Sequence, residues 1–150
     1  TTGARYVQAP TITVAGPTAR VLTTANVSLA NDTFTITGHN MRTGTSITYN
    51  SQGGTNLGQN SGSIADDTEL FVIRVDEDTI KLASSLSNAQ AGTALDMTGG
   101  SGNTGNNSQT LTGTTATATA TISGGAVSAI TVTAVGSDYQ STPAVTVEAP

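Results

Sequence analysis

The single histidine is the first residue to test for chemistry. His39 lies in the segment Gly38-His39-Asn40, and an imidazole can act as a general base near neutral pH. That role needs an activated nucleophile nearby. No Ser or Cys arrangement of this kind is recognisable around His39 in the sequence. We therefore expect His39 to be a turn residue that forms local hydrogen bonds.

Three consecutive acidic residues are the next candidates. Asp76, Glu77 and Asp78 could hold a hard cation, because calcium binds several carboxylate oxygens placed close together. Asp66 and Asp67 are the only plausible helpers in the sequence. The spacing of an EF-hand is absent, and acidic hairpin tips also serve solubility alone. We keep the three residues as weak metal candidates and expect neither a bound metal nor a cofactor.

Motifs for phosphate binding and for hydrolysis are missing. The glycine-rich segments Gly53-Gly54 and 99–105 contain neither G-x-x-x-x-G-K-[ST] nor G-x-G-x-x-G. No pair of carboxylates stands out as the acid and base of a glycosidase. The sequence therefore predicts a protein that is not an enzyme, with no catalytic residue.

Composition narrows the class of protein further. The net charge is -5, and the five Lys and Arg residues are scattered, which argues against nucleic acid as a partner. No apolar run approaches the eighteen or so residues of a membrane span. Hydrophobic residues make up 35% and aromatic residues 3% of the chain, so a core must be built from Val, Ile, Leu and Ala. About one residue in five is Thr, which favours strands.

Alternation with a period of two predicts a first β-module at residues 18–98. Its predicted inward residues include Phe34, Ile36, Ile47, Tyr49, Ile80, Leu82, Leu95 and Met97. In the run ELFVIRV we expect Phe71, Ile73 and Val75 to face inward, and Val72 and Arg74 to face outward. The acidic residues 76–78 predict a hairpin. A short helix is expected at Ser85 to Ala91, with a Ser cap and Gly92 beyond its end.

A linker is predicted at 99–108 (GGSGNTGNNS), followed by a second β-module at 109–150. Its first strand alternates Thr with Ala, and Gly124-Gly125 suits a two-residue hairpin turn. Its later strands take their apolar faces from Ile130, Val132, Val145 and Val147. Three strands in about forty residues make a thin core. We expect this module to pack on another module or subunit.

The two ends of the sequence carry the same phrase. Residues 3–17 (GARYVQAPTITVAGP) and 136–150 (GSDYQSTPAVTVEAP) both fit G-x-x-Y-x-x-x-P-x-[IV]-T-V-x-x-P without a gap. We treat the shared Gly, Tyr and Pro residues as an assembly motif, at Gly3, Tyr6, Pro10, Pro17, Gly136, Tyr139, Pro143 and Pro150. Residues 1–17 are predicted to be an N-terminal strand segment that repeats the C-terminal phrase. If 136–150 closes the second module, 3–17 is predicted to be the closing strand of a preceding copy, or to fill that place in a neighbouring subunit.

Longer phrases in the sequence resemble a known group of proteins. The segments TFTITGHNMRTGTSITYNSQGGTNLG and FVIRVDEDTIKLASSLSNAQAGTALDMTG resemble a module of virion structural proteins of tailed phages, with T4-like marine cyanophages the nearest in pattern. TATATATISGGAVSAITVTAVGSDYQSTPAVTV resembles a second element of those proteins. Together the segments cover residues 31 to 150. Asp138 stands where the family phrase usually has Gly. The resemblance implies a structural protein on the virion surface.

The sequence thus predicts an all-β fold of two small antiparallel modules, sandwich- or barrel-like, with one short helix. The predicted function is assembly in a phage particle, as a fibre repeat segment or as a capsid or tail decoration subunit. Expected partners are copies of the chain itself, as a trimer or head-to-tail stack, and other virion proteins. A glycan- or receptor-binding fibre domain, with Tyr49 or loop 50–63 at a host-surface glycan, is one alternative. A bacterial surface adhesin repeat is another.

Overall fold

The protein is described by a computed structural model that covers residues 5–99 and 109–150. The fold is all-β, with several antiparallel sheets and one short α-helix, as the sequence predicted. In chain order, the strands of the described residues are β1 (Ile12–Val14), β2 (Arg20–Leu22), β3 (Val27–Ser28), β4 (Thr33–Thr35), β5 (Ser46–Asn50), β6 (Gly58–Gln59), β7 (Gly62–Ser63), β8 (Thr68–Arg74), β9 (Thr79–Ala83), β10 (Met97–Gly99), β11 (Gln109–Gly113), β12 (Thr117–Ser123), β13 (Ala126–Ala134) and β14 (Val145–Val147). A 3-10 turn spans Thr24–Asn26 and helix α1 spans Leu86–Ala91.

The chain divides into two compact units. Unit 1 contains residues 1–17 and 114–150, and unit 2 contains residues 18–113. This differs from the predicted domains in two respects. β11, which was expected to open the second module, pairs with β2 and β5 in unit 2, and the N-terminal segment belongs to unit 1 with the last strands. Most of the predicted linker, residues 100–108, lies outside the described residues.

Unit 2 is built on a seven-stranded antiparallel sheet in the order β2-β11-β5-β8-β9-β4-β3, which is barrel-like and nearly closed. A small sheet, β10-β6-β7, belongs to the same unit. Alternate residues of β5 and β9 point into the core, which is why their burial alternates. Phe34, Ile47, Tyr49, Ile80 and Leu82 are buried there, which confirms their predicted inward direction. Leu95 packs partly buried against this core, and Met97 is buried in β10.

The predicted face of β8 was wrong. Leu70 and Val72 are buried, whereas Val75 is 51% exposed, and Phe71 and Ile73 are only half-buried. Four successive apolar residues, Leu70 to Ile73, gave no period from which the inward face of the strand could be read. The pairing with β5 and β9 sets the direction instead.

The short helix has the ends that the sequence predicted. Ser85 is the N-cap, and its hydroxyl accepts a hydrogen bond of 3.1 Å from the amide of Asn88. Gly92 ends the helix with φ 73°, the left-handed conformation in which glycine carries no Cβ penalty. Ala89 is the buried residue of the helix. Local sequence rules therefore set where this helix begins and ends.

Unit 1 consists of two ladders of two strands each. β12 and β13 form a hairpin around Gly124 and Gly125, which both have positive φ (61° and 82°), as the predicted two-residue turn requires. β1 and β14 form the second ladder, and β1 packs against β12. The pairing of β12 with β13 shifts register twice, so that Val127 and Ile130 both lie opposite the apolar side of β12.

Candidate assembly surface

The two copies of the repeated phrase pair with each other. In the ladder of β1 and β14, Ile12 lies opposite Val147, Thr13 opposite Thr146, and Val14 opposite Val145. The N-terminal phrase therefore pairs within its own chain. It does not fill a place in a neighbouring subunit, which was one of the two predicted alternatives. We call the two paired phrases, residues 5–17 and 136–150, the clasp.

The clasp has a local two-fold axis. The phrases are offset by 133 residues, from Gly3 to Gly136, so Thr13 pairs with its own equivalent, Thr146. The pair Ile12–Val147 maps onto the pair Val145–Val14 under the same operation. An antiparallel ladder has this symmetry when both strands present the same residues in the same order. The sequence repeat is therefore the cause of the symmetry.

The backbone hydrogen bonds of the clasp are related by the same two-fold axis. The amide of Ala15 donates to the carbonyl of Ala144 at 2.8 Å, and the amide of Glu148 donates to the carbonyl of Thr11 at 3.0 Å. These two bonds are equivalent, because Ala15 corresponds to Glu148 and Thr11 corresponds to Ala144. Bonds at these positions make Thr13–Thr146 a hydrogen-bonded pair, since such pairs alternate along an antiparallel ladder.

The tyrosines of the two phrases close the clasp from both ends. The hydroxyl of Tyr6 donates to the carbonyl of Glu148 at 2.7 Å, and the hydroxyl of Tyr139 donates to the carbonyl of Ala15 at 3.0 Å. The two bonds are again equivalent by the 133-residue offset. Tyr139 also accepts a bond of 2.8 Å from the amide of Ala116. Each tyrosine thus ties its own phrase to the backbone of the other.

Gly136 is a glycine because two backbone groups lie against it. Its φ is 65°, and a Cβ there would lie 2.5 Å from the carbonyl oxygen of Thr114 and 2.7 Å from the amide nitrogen of Ala116. Asp138 also has positive φ, 53°, a left-handed conformation that Gly adopts without strain and that Asp tolerates better than most residues. Gly3, the equivalent of Gly136, lies outside the described residues.

One polar side chain of the clasp has a perturbed pKa. The carboxylate of Glu148 accepts a hydrogen bond of 3.1 Å from the amide of Thr11. This bond lowers the pKa of Glu148 below its ordinary value, because it stabilises the charged form. Sequence reasoning did not select Glu148. Its equivalent is Ala15, so the repeat itself contained no signal for it.

An apolar groove of about 490 Å³ lies in unit 1, along the clasp. Its lining includes Val14, Ala118, Ile130, Val132, Tyr139 and Val145. Val132 is 60% exposed, Val145 52% and Ile130 47%. Apolar side chains that share an open groove mark an interaction surface more often than isolated ones do.

The groove arises because the two phrases are covered unequally. Pro10 is buried and Val14 is half-buried, whereas their equivalents Pro143 and Val147 are more exposed. Strand β12 packs on the N-terminal phrase, and no comparable element packs on β14 among the described residues. Pro17 is half-buried and Pro150 is exposed. The apolar side of β14 is therefore left exposed, whereas β12 packs on the equivalent strand β1.

His39 makes one local hydrogen bond, as a turn residue was expected to, and one long-range bond that was not expected. Its ring is buried in unit 2, where Nδ1 accepts a hydrogen bond of 3.0 Å from the amide of Met41. Nε2 lies 3.0 Å from the carbonyl oxygen of Asp76. The amide can only donate and the carbonyl can only accept, so the ring is neutral with its proton on Nε2. Both ring nitrogens are thus used in holding two loops together.

The acidic residues of the hairpin bond to the backbone. Asp76 Oδ1 accepts from the amide of Asp78 at 2.9 Å, which lowers the pKa of Asp76, and Asp78 Oδ1 accepts from the amide of Gly38 at 2.7 Å. Asp66 accepts from the amide of Ser51 at 2.6 Å. Within residues 5–99 and 109–150, no group of three or more potential metal ligands comes together.

The predicted glycan contact at Tyr49 is wrong. Tyr49 is 0% exposed, and its hydroxyl accepts a hydrogen bond of 3.0 Å from the buried amide of Leu57. Burial is the main cause of its raised pKa. The alternation of β5 predicts that this ring points inward. That periodicity is stronger evidence than the general ability of a tyrosine ring to stack on a ligand.

No family model, curated protein or solved structure matches the chain. Among the described residues, no helix has the length and apolar character needed to cross a membrane.

Proposed function

We propose that the protein is a non-enzymatic structural component of a tailed-phage virion surface. It assembles with further copies of itself and with other virion proteins, as a fibre repeat segment or as a capsid or tail decoration subunit. The phage setting rests on the resemblance of its sequence phrases. The observation that carries the assembly role is the open apolar groove along the clasp.

The energy available from the groove is of the size that association needs. Fully burying a Val or Ile side chain contributes about 1.5–3 kcal/mol, so completing the burial of a half-exposed one contributes about 1 kcal/mol. Ile130, Val132, Val135 and Val145 line the groove and are between 47% and 81% exposed. A symmetric contact covers two sets of them, roughly 8 kcal/mol in total. Association costs about 4–15 kcal/mol, so this gain offsets a cost in the lower half of that range.

Electrostatics do not oppose this contact. Residues 97–137, which include the whole hairpin of β12 and β13, contain no Asp, Glu, Lys or Arg. Two copies can therefore bring these surfaces together without desolvating a charge, which would cost several kcal/mol per ion. Thr side chains on the other face of β12 keep that face wettable.

The assembly role is tested by sedimentation velocity of the full chain at concentrations from roughly 1 to 500 μM. We expect concentration-dependent association that Val132→Asp abolishes, because a buried carboxylate lacks a partner in the contact. Val75→Asp is the matched control, since Val75 is similarly exposed but lies in unit 2. A wild-type chain that stays monomeric throughout contradicts the assembly role.

The virion setting needs a separate experiment. Mass spectrometry of purified particles of a phage whose genome encodes the chain should detect the protein at a fixed copy number per particle. Antibody-gold labelling in the electron microscope should then find it on the outer surface. Particles that lack the protein contradict the virion role. Binding of a monomeric chain on a glycan array favours the receptor-binding alternative instead.

A further inference from the structure

The outer strand of the hairpin in unit 1 has an open edge. β13 pairs with β12 on one side, and it pairs with no other strand among the described residues. Eight of its nine residues are exposed, all but Val127. β12, by contrast, is packed by β1. An unpaired strand edge presents rows of amide and carbonyl groups to which a further strand can bind.

The register of the hairpin shows which backbone groups of β13 point outward. A two-residue turn is closed by a hydrogen-bonded pair, here Ser123 and Ala126. Hydrogen-bonded and non-hydrogen-bonded pairs alternate along a ladder, and β12 contributes no extra residue to this one. Counted from the turn, Ile130 and Val132 lie in non-hydrogen-bonded pairs with alanines of β12. They therefore direct their amides and carbonyls away from β12.

The same two residues carry exposed apolar side chains. Ile130 is 47% exposed and Val132 is 60% exposed, and both line the groove. Thr131, between them, points to the opposite face of the hairpin, together with threonines of β12. A bulge lies on each side of this stretch, because the register with β12 skips Ser128 and Thr133. Regular pairing is therefore confined to the middle of β13.

Charge favours a second copy of the chain as the occupant of this edge. The net charge is -5, and the longest stretch without Asp, Glu, Lys or Arg is 97–137, which contains the whole hairpin. Copies of an acidic chain repel each other, so they approach most easily through a surface without charge. β13 also has neither a charged residue nor a proline, the two residue types that commonly keep an edge strand from pairing.

We propose that β13 pairs antiparallel with β13 of a second copy of this chain, about a two-fold axis at Thr131. The proposal rests on the proposed function, whose partner surface it identifies. In this register Ile130 lies opposite Val132 of the second copy, and Val132 lies opposite its Ile130. Each of these pairs exchanges two backbone hydrogen bonds, whereas a slip of two residues leaves one such pair. The bonds use groups that point away from β12, so the hairpin and the clasp stay intact.

The pairing joins the two hairpins into one four-stranded sheet, in the order β12-β13-β13-β12. The axis is perpendicular to this sheet, so the apolar faces of both hairpins lie on the same side. Ile130 and Val132 of each copy, which are exposed in the groove, then have apolar neighbours on the facing strand. Thr131 lies opposite Thr131 on the other face, as a cross-strand pair. A two-fold contact closes on itself, so it gives a dimer and not an open stack.

The chain lacks cysteine, so a single introduced cysteine reports this pairing. Thr131 would face its equivalent in a non-hydrogen-bonded pair, whose Cα atoms lie about 4.5 Å apart, within the reach of a disulfide. We would oxidise the full chain carrying Thr131→Cys briefly, at roughly 100 μM because small interfaces are weak, and quantify the dimer on a non-reducing gel. Thr119→Cys is the matched control. Thr119 is exposed on the same face of the hairpin, but its two copies would be about 14 Å apart, three strand spacings.

We expect Thr131→Cys to give at least about tenfold more disulfide-linked dimer than Thr119→Cys. Adding Val132→Pro to Thr131→Cys should lower the yield to that of Thr119→Cys, because proline removes an outward amide from each copy. Hydrogen exchange at the amide of residue 131, which points to β12, verifies that the hairpin is still folded. Equal yields from the two cysteine positions overturn the proposal, and this comparison needs no proline variant. An undiminished yield from a folded Val132→Pro chain also overturns it.

Failure of this pairing can be told from failure of the proposed function. Association of the wild-type chain in the centrifuge without cross-linking at position 131 refutes the pairing and leaves assembly intact. Cross-linking at position 131 by a protein that is absent from purified particles leaves the pairing intact and refutes the virion role.

Discussion

Replacing Tyr139 with Phe removes a hydroxyl that makes two hydrogen bonds in the clasp. It donates to the carbonyl of Ala15 at 3.0 Å and accepts from the amide of Ala116 at 2.8 Å. A hydrogen bond contributes about 1 kcal/mol net, so the substitution should cost about 2 kcal/mol. Tyr6→Phe removes one bond, to the carbonyl of Glu148 at 2.7 Å, and should cost about 1 kcal/mol.

Native-state hydrogen exchange measures this cost locally. The amides of Ala15 and Glu148 bond across the clasp and report its opening. Thermal unfolding of the whole chain would report the unfolding of unit 2 together with the opening of the clasp. We expect the protection of both amides to fall about 30-fold in Tyr139→Phe and about fivefold in Tyr6→Phe. The two variants are matched, since each removes one hydroxyl from an equivalent position.

The ratio between the variants is the informative result. Equal losses of protection would mean that the bond from the amide of Ala116 to Tyr139 contributes nothing. A larger loss in Tyr6→Phe would contradict the number of hydrogen bonds that each hydroxyl makes. Unchanged protection in both variants would refute the clasp itself.

Further variants test single features of the fold. Gly136→Ala should cost at least about 3 kcal/mol, because its Cβ would meet the backbone, whereas Gly124→Ala, with open space around it, should cost about 1 kcal/mol by thermal unfolding. Val72→Ala should destabilise the chain by about 2 kcal/mol and Val75→Ala by less than about 0.5 kcal/mol; the reverse order in denaturant unfolding would contradict the observed direction of β8. The pKa of Glu148 is lowered from its ordinary value of 4.5, so its contribution is present above that pH and is lost as the pH falls below it; amide protection in the clasp should fall on acidification, and Glu148→Gln should remove that pH dependence.

Much of the local structure could be predicted. The caps of α1, the two-residue turn at Gly124-Gly125 and the buried faces of β5 and β9 all follow from rules that act over a few residues. β8 failed because the run from Leu70 to Ile73 is apolar at every position, so no period could show which residues face the core. The period also predicted Tyr49 to face inward, and its burial excludes the alternative that placed this ring at a glycan.

Such local rules could not predict which strands pair over long range. The sequence alone determined that residues 3–17 and 136–150 are equivalent, and equivalence in sequence dictates equivalence in strand geometry. Only the tertiary structure decided that these segments pair with each other, that β11 leaves its neighbours to join unit 2, and that β14 remains uncovered. The physical reason is that a strand edge accepts any partner with matching hydrogen-bond groups. Which partner it takes depends on the connections and packing of the whole chain.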